Sequence, residues 1–168
     1  MNSEELKLLQ APFKDKYRKK PGTAIVTLKA QGKIGEGISC KVETGKSFIE
    51  AGLHPATGGN GLLACSGDLL LEALIACAGV TLSAIASAIG VEIKEGTVKA
   101  EGELDFRGTL GIAKDIPVGF KEIRLQFTID SNATADKIDT LLKLTERYCV
   151  VHQTLRNGVE VKTSIQNL

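Results

Sequence analysis

The sequence predicts an α+β protein, antiparallel sheet packed against segregated helices, and three observations carry that expectation. Short alternating apolar and polar runs fall in two groups rather than between helices. One long segment, residues 68–89, is apolar on nearly every face. A helical pattern and one last alternating run follow the second group of strands. The resulting order is helix, three strands, apolar helix, two strands, helix, strand, which is the pattern of the α+β class.

Taken in order, Ser3 to Tyr17 suggests a short helix. Ser3 is a candidate cap, and Leu6, Leu9 and Phe13 recur at helical spacing across an interruption at Pro12. Pro21-Gly22 breaks the chain. Thr23 to Ala30 (TAIVTLKA) reads as a first strand, Gln31 to Gly35 as a turn and GEGISCKVE as a second strand. Gly45-Lys46 turns into SFIEAG, completing an antiparallel meander. HPATGGNGLLACS, from His54 to Ser66, is a loop by its Gly, Pro and Asn content.

Asp68 to Ile89 reads as one helix, with Asp68 complementing the dipole at its start and Gly90 ending it. Its uncharged part, Ala73 to Ile89, is short and too rich in Ala, Ser and Gly for a bilayer span, so a buried helix is expected. Such a helix needs apolar cover on nearly all sides, and a second copy of the chain is implied. Val91 to Phe106 and Lys121 to Asp130 alternate as strands joined by a long connection, Arg107 to Gly119. Asn132 is the expected cap of a helix from about Ala133 to Tyr148, with Ile138, Leu141, Leu142 and Leu144 inward. Val150 to Leu155 reads as a further helical turn, and VEVKTSI after Asn157-Gly158 as a final strand. Residues 1–22 are thus a helical extension and residues 23–168 a single domain.

Composition narrows the function. The 168 residues carry 21 basic and 20 acidic side chains, a net charge of +1, which gives no reason to expect nucleic acid or an anionic membrane as partner. The basic cluster Lys14, Lys16, Arg18, Lys19 and Lys20 reads as a solvated face, with a nucleic-acid arm as the alternative. The start MNSEELKLLQ lacks the basic, then apolar, pattern of a signal peptide, so a cytoplasmic location is expected. In that compartment Cys40, Cys65, Cys77 and Cys149 are free, catalytic or metal-binding rather than structural disulfides.

Two of the cysteines stand out by context. Cys77 lies midway in the apolar helix between Ala76 and Ala78, where a plain core thiol is the alternative. Cys149 lies beside Arg147 and near His152, and a neighbouring cation raises the thiolate fraction of a cysteine. SGDLLLEALIACAGVT resembles the S-P-x-E-L-L-L-A-A-L-x-x-C-x helix of the OsmC/Ohr-like superfamily. ERYCVVHQTL resembles that superfamily's later K-Y-C-P-V-S-x-x-L motif. The paired motifs and the element order extend the resemblance over residues 23–168.

The resemblance implies an intertwined homodimer with its apolar helices central and two active sites at the subunit interface. It implies a peroxidase in which Cys77 attacks an organic hydroperoxide or hydrogen peroxide. Cys149 then resolves the sulfenic acid as a disulfide, and an external thiol reductant restores the pair. No cofactor is expected. An acidic residue and an arginine usually complete such a site. Asp68 stands at the acidic position by its spacing to Cys77, although a helix cap is an equal reading of it. The first hairpin, the usual source of the arginine, carries Lys33 and Lys41 and no Arg, while Arg18 lies just upstream. Val150 replaces the motif's proline and His152 its serine. His152 is a candidate base or cation for Cys149, or a half-exposed surface residue. Cys65 is a candidate alternative resolving thiol or a filler.

Two other functions stay open on the sequence. One is a non-catalytic ligand-binding or scaffold dimer of the same fold. The other is a metal protein using Cys149 and His152 with Cys65, Cys77 or His54, although only one ligand pair of metal-like spacing exists.

Overall fold

The structure, a computed structural model, describes residues 2–28, 30–34, 39–43 and 47–167. Helix α1 (Ser3–Lys19) opens on Asn2 rather than Ser3. The Asn2 side chain accepts the Glu5 amide and the Glu5 carboxylate accepts the Asn2 amide, both at 2.9 Å. This reciprocal arrangement satisfies two of the donors a helix start leaves open, and the helix runs on through Pro12.

The expected meander forms, but its first strand is displaced. The first sheet holds β1 (Gln31–Ile34), β2 (Ser39–Glu43) and β3 (Phe48–Gly52) in antiparallel order. A short β4 (Ala64–Cys65), within the expected loop, adds parallel to β3. Pro21–Ala24 is a 3-10 turn, and residues 25–28 make no ladder. Ile25, Val26 and Leu28 have the composition of a strand, but a strand exists only where a partner accepts its hydrogen bonds, and they stand exposed. Gly35–Ile38 and the turn expected at Gly45-Lys46 lie outside the described residues.

Helix α2 (Ser66–Ile89) starts two residues earlier than the sequence suggests. Cys65 occupies the cap position, so Asp68 sits in the first turn beside the positive end of the dipole and is not the cap. Gly90 ends the helix at φ 68°, ψ 38°, a left-handed conformation that glycine adopts without steric cost. By length and composition alone α2 could cross a membrane. Here Leu74, Ala78, Leu82 and Ala86, four residues apart, form one buried stripe packed against the rest of the chain. The other side, through Ala73, Ala76, Val80 and Ser83, is exposed. The enclosure expected of this helix is therefore met on one side only.

The second sheet is the hairpin β5 (Glu95–Leu104) and β6 (Phe120–Asp130). Val98, Ala100, Leu104, Ile123, Leu125, Phe127 and Ile129 turn to its covered face. Lys99, Glu101, Glu103 and Arg124 form a charged outer ladder. The connection between the strands contains a single turn of helix, α3 (Phe106–Thr109), capped by Asp105. Helix α4 (Ala135–Tyr148) is capped at Thr134 rather than Asn132, because the Ile138 amide reaches the Thr134 carbonyl at 3.0 Å. Leu141 is buried as expected, but Leu142 is 41% exposed. Helix α5 (Val150–Asn157) follows at once. The strand expected over residues 159–165 forms no ladder; Val159, Val161 and Ile165 are exposed for want of a partner.

The core centres on Leu82, Ala86, Val91 and Leu141, ringed by Ile85, Ile89, Phe127, Ile129 and Ile138. It is small for the chain. The accessible surface is 13044 Å², where a compact monomer of this mass presents roughly 8,000 Å². Leu141 is 1% exposed, and Leu141→Ala is expected to lower stability by about 2–5 kcal/mol. Urea denaturation at fixed protein concentration measures this; an unchanged midpoint would contradict the packing described.

Candidate active site

The site is built where α4 stops. Thr145, 1% exposed, turns its hydroxyl back to the Leu141 carbonyl at 2.7 Å. Its own carbonyl accepts the Cys149 amide at 2.9 Å. Cys149 is extended (φ −73°, ψ 112°), so the chain bends there and restarts as α5. The Gln153 amide takes the Cys149 carbonyl at 2.9 Å, and the Gln153 side chain takes the Glu146 carbonyl at 2.8 Å. These bonds hold the bend and aim the first turn of α5 at α2.

A helix start carries backbone N–H groups without carbonyl partners, and here sulfur receives them. The Val150 and Val151 amides point to the Cys77 sulfur, and the His152 amide lies against that of Cys149. The Cys149 thiol adjoins the Cys77 sulfur and favours its thiolate. The Thr81 hydroxyl lies beside Cys77 as well and donates to the Cys77 carbonyl at 2.8 Å.

The two thiols are displaced in opposite directions. Burial pushes the Cys77 pKa up, but the Val151 amide, the Cys149 thiol, the Val150 amide and the Thr81 hydroxyl outweigh it and hold the group below the ordinary thiol value. Burial likewise pushes Cys149 up, and the adjoining Cys77 adds to that, against the opposing His152 and Val151 amides. Cys149 is 1% exposed, whereas Cys77 is half-buried. One sulfur is thus the better thiolate and the other the better proton holder.

A cavity of about 520 Å³, lined not by the cysteines themselves but by Leu74 and His152, each three residues from one of them, is bounded by α2, β6, α4 and α5. Leu74, Ile123, Leu125, Phe127 and Leu155 supply apolar walls, and Lys121, Glu122, Glu146, His152 and Arg156 supply its polar groups. Leu74 is three residues from Cys77, on the same flank of α2.

The other residues singled out in the sequence lie elsewhere. Asp68 is nine residues before Cys77, about half a turn round the helix and roughly 13 Å along it. It shares a small hollow with His54, Cys65 and Phe106 instead, so within one chain it faces away from the sulfurs. Cys65 is twelve residues, roughly 18 Å, from Cys77 along the helix axis, too far to resolve it within one chain. Arg18 is exposed and pairs with Asp15 at 3.1 Å. Lys33 is exposed on β1 opposite Lys41, whose ammonium lies 4.5 Å from the centre of the Phe48 ring. Cys40 lies on β2 opposite Ala51. Among the described residues no three His, Cys, Asp or Glu side chains are gathered to hold a metal. The residues the sequence reading missed are Val150 and Val151, which act through their backbone. The available signal was the valine in the place of the motif's proline, since proline has no N–H to offer.

The family model for OsmC-like proteins matches residues 59–164. No curated protein matches the chain. Among solved structures, an OsmC-like protein from Mycoplasma pneumoniae is 20% identical with a TM-score of 0.66, over 79% of this chain and 89% of that one. An organic hydroperoxide resistance protein from Elizabethkingia anophelis is 20% identical with a TM-score of 0.64, over 82% and 94%. The organic hydroperoxide resistance protein OhrB of Bacillus subtilis is 19% identical with a TM-score of 0.53, over 82% and 96%. These likenesses show a shared fold.

Proline is well suited to the first position of a helix, so Val150→Pro should keep α5 and remove one donor from Cys77. The pH at which Cys77 reaches half its maximal alkylation rate should rise. Alkylation at neutral pH should slow roughly two- to tenfold, the worth of one hydrogen bond at about 0.5–1.5 kcal/mol. An unchanged iodoacetamide profile would show that the amide does not act on the sulfur.

Proposed function

The chain belongs to the OsmC-like protein family, and on that premise we propose that it is a thiol-dependent peroxidase working through Cys77 and Cys149. The arrangement that carries this reading is the meeting of two thiols at the start of α5, one half-buried beside backbone amides and the other 1% exposed. The Cys77 thiolate attacks the terminal peroxide oxygen. An S–O bond forms, the O–O bond breaks, and the alcohol leaves with a proton. Cys77 becomes a sulfenic acid, two electrons having passed to the peroxide. Cys149, held protonated until then, attacks the sulfenic sulfur and closes a disulfide. An external thiol reductant returns two electrons and two protons.

Organic hydroperoxides are the proposed substrates, ahead of hydrogen peroxide. The apolar walls of the neighbouring cavity give an alkyl or aryl group somewhere to go, and hydrogen peroxide has nothing to place there. The hairpin arginine that the resemblance would supply is missing. Amides at the helix start take over its charge-stabilising part, and Val150 in place of proline adds one donor.

The working unit is proposed to be a homodimer. The bare side of α2, the unpaired strand-like runs 25–28 and 159–165, and the surface excess of roughly 5,000 Å² over a compact monomer are each what an obligate interface removes from water. The mass by light scattering should be twice that of the chain; a monomer at micromolar concentration would remove this part of the reading.

Thiol titration before and after one equivalent of cumene hydroperoxide should show two of the four thiols lost, and none lost in Cys77→Ser. Cumene hydroperoxide should also be turned over faster than hydrogen peroxide. Four surviving thiols would instead favour the non-catalytic dimer.

A further inference from the structure

His152 carries the one buried side-chain nitrogen or oxygen among the described residues that has no hydrogen-bond partner, its Nδ1. Leaving such an atom unpaired costs about 1–3 kcal/mol, so its persistence calls for a use. The residue is the third of α5, a position whose side chain can reach back to the cap amide, and no side-chain cap bond is made at this helix start. In the usual arrangement it would bind the cap amide. That amide is already taken by the Thr145 carbonyl at 2.9 Å, and Nδ1, the ring nitrogen nearer the backbone, is left over. The His152 amide meanwhile lies against the Cys149 sulfur.

From this geometry we infer that His152 Nδ1 accepts the Cys149 proton during disulfide formation. The inference rests on the peroxidase reading and concerns only its second step. As Cys149 attacks, the S–S bond forms, the S–O bond of the Cys77 sulfenic acid breaks, and the Cys149 proton passes to Nδ1. The imidazolium then protonates the departing hydroxide, so water leaves and the ring is neutral again. A buried thiol that holds its proton well needs such an acceptor. The titratable and charged groups that share the cavity with His152 are Glu146 from α4, Arg156 on α5, and Lys121 and Glu122 from β6, with Cys149 and Cys77 beyond its wall.

The test separates the two steps. Wild type, His152→Ala and His152→Gln are mixed with cumene hydroperoxide. Loss of the Cys77 thiol, capture of its sulfenic acid by dimedone, and the Cys77–Cys149 disulfide are followed by mass spectrometry. Because His152 also lines the cavity proposed for the substrate, Cys77 oxidation is timed separately in each protein and the second step is read as the rate from sulfenic acid to disulfide. Disulfide formation should slow by about a hundredfold in both variants, with dimedone capture rising to match. Added imidazole should restore the rate in His152→Ala. Equal disulfide rates, or no rescue by imidazole, would overturn the inference while leaving the peroxidase reading intact. A wild-type Cys77 thiol that survives the peroxide would overturn both. His152→Gln serves as the readout if the alanine variant does not fold, and an unchanged disulfide rate in it is equally decisive.

Discussion

The first turn of α5 offers three amides to two sulfur atoms, and the rest of the site follows from that meeting. It requires α4 to stop at Tyr148, which the Thr145 and Gln153 bonds around Cys149 enforce. It requires α2 to present Cys77 towards the helices, which the packing of Leu74, Ala78, Leu82 and Ala86 enforces. Because amide donors favour the charged form of Cys77, and burial with an adjoining sulfur favours the neutral form of Cys149, the thiols are unequal before any substrate arrives. A cation beside the pair could produce a similar inequality. Here backbone dipoles lower Cys77, and they are fixed by the fold rather than held on a flexible side chain.

The same fold leaves a large part of its apolar surface uncovered. Half of α2 is bare, β6 and α4 stand apart around open cavities, and strand-like sequence at both ends of the domain finds no ladder. These features have one physical source. Apolar side chains and unpaired backbone groups are both costly in water, and a sequence that carries them in quantity is written for burial against something else. The proposed second copy would meet that need.

Much of the architecture was legible in the sequence. The helical segments 3–17, 68–89 and 133–148, the hairpin around residues 107–119 and the meander before the long helix were recoverable from periodicity, Gly and Pro alone. Where the structure departs, pairing decided. Thr23 to Ala30 and VEVKTSI alternate as strands do, but alternation describes a side-chain pattern and says nothing of whether a neighbour is present to accept the bonds. Caps shifted by one to three residues at Asn2, Cys65 and Thr134, because the cap is whichever group reaches a free amide, not whichever has the right composition. Asp68 lies, within one chain, on the far side of α2 from Cys77 for a similar reason: spacing in sequence counts residues, and helix geometry decides which face each one takes.

By itself, then, the sequence determined the fold class, the family resemblance and the α2 helix, since residue type and periodicity are local properties written in the chain. The tertiary structure alone decided that the two sulfurs, seventy-two positions apart, adjoin, which of them is the stronger acid, and that backbone amides rather than a cation make it so. An acidity depends on the direction of dipoles and on the exclusion of water, and neither exists until α5 has been brought against α2.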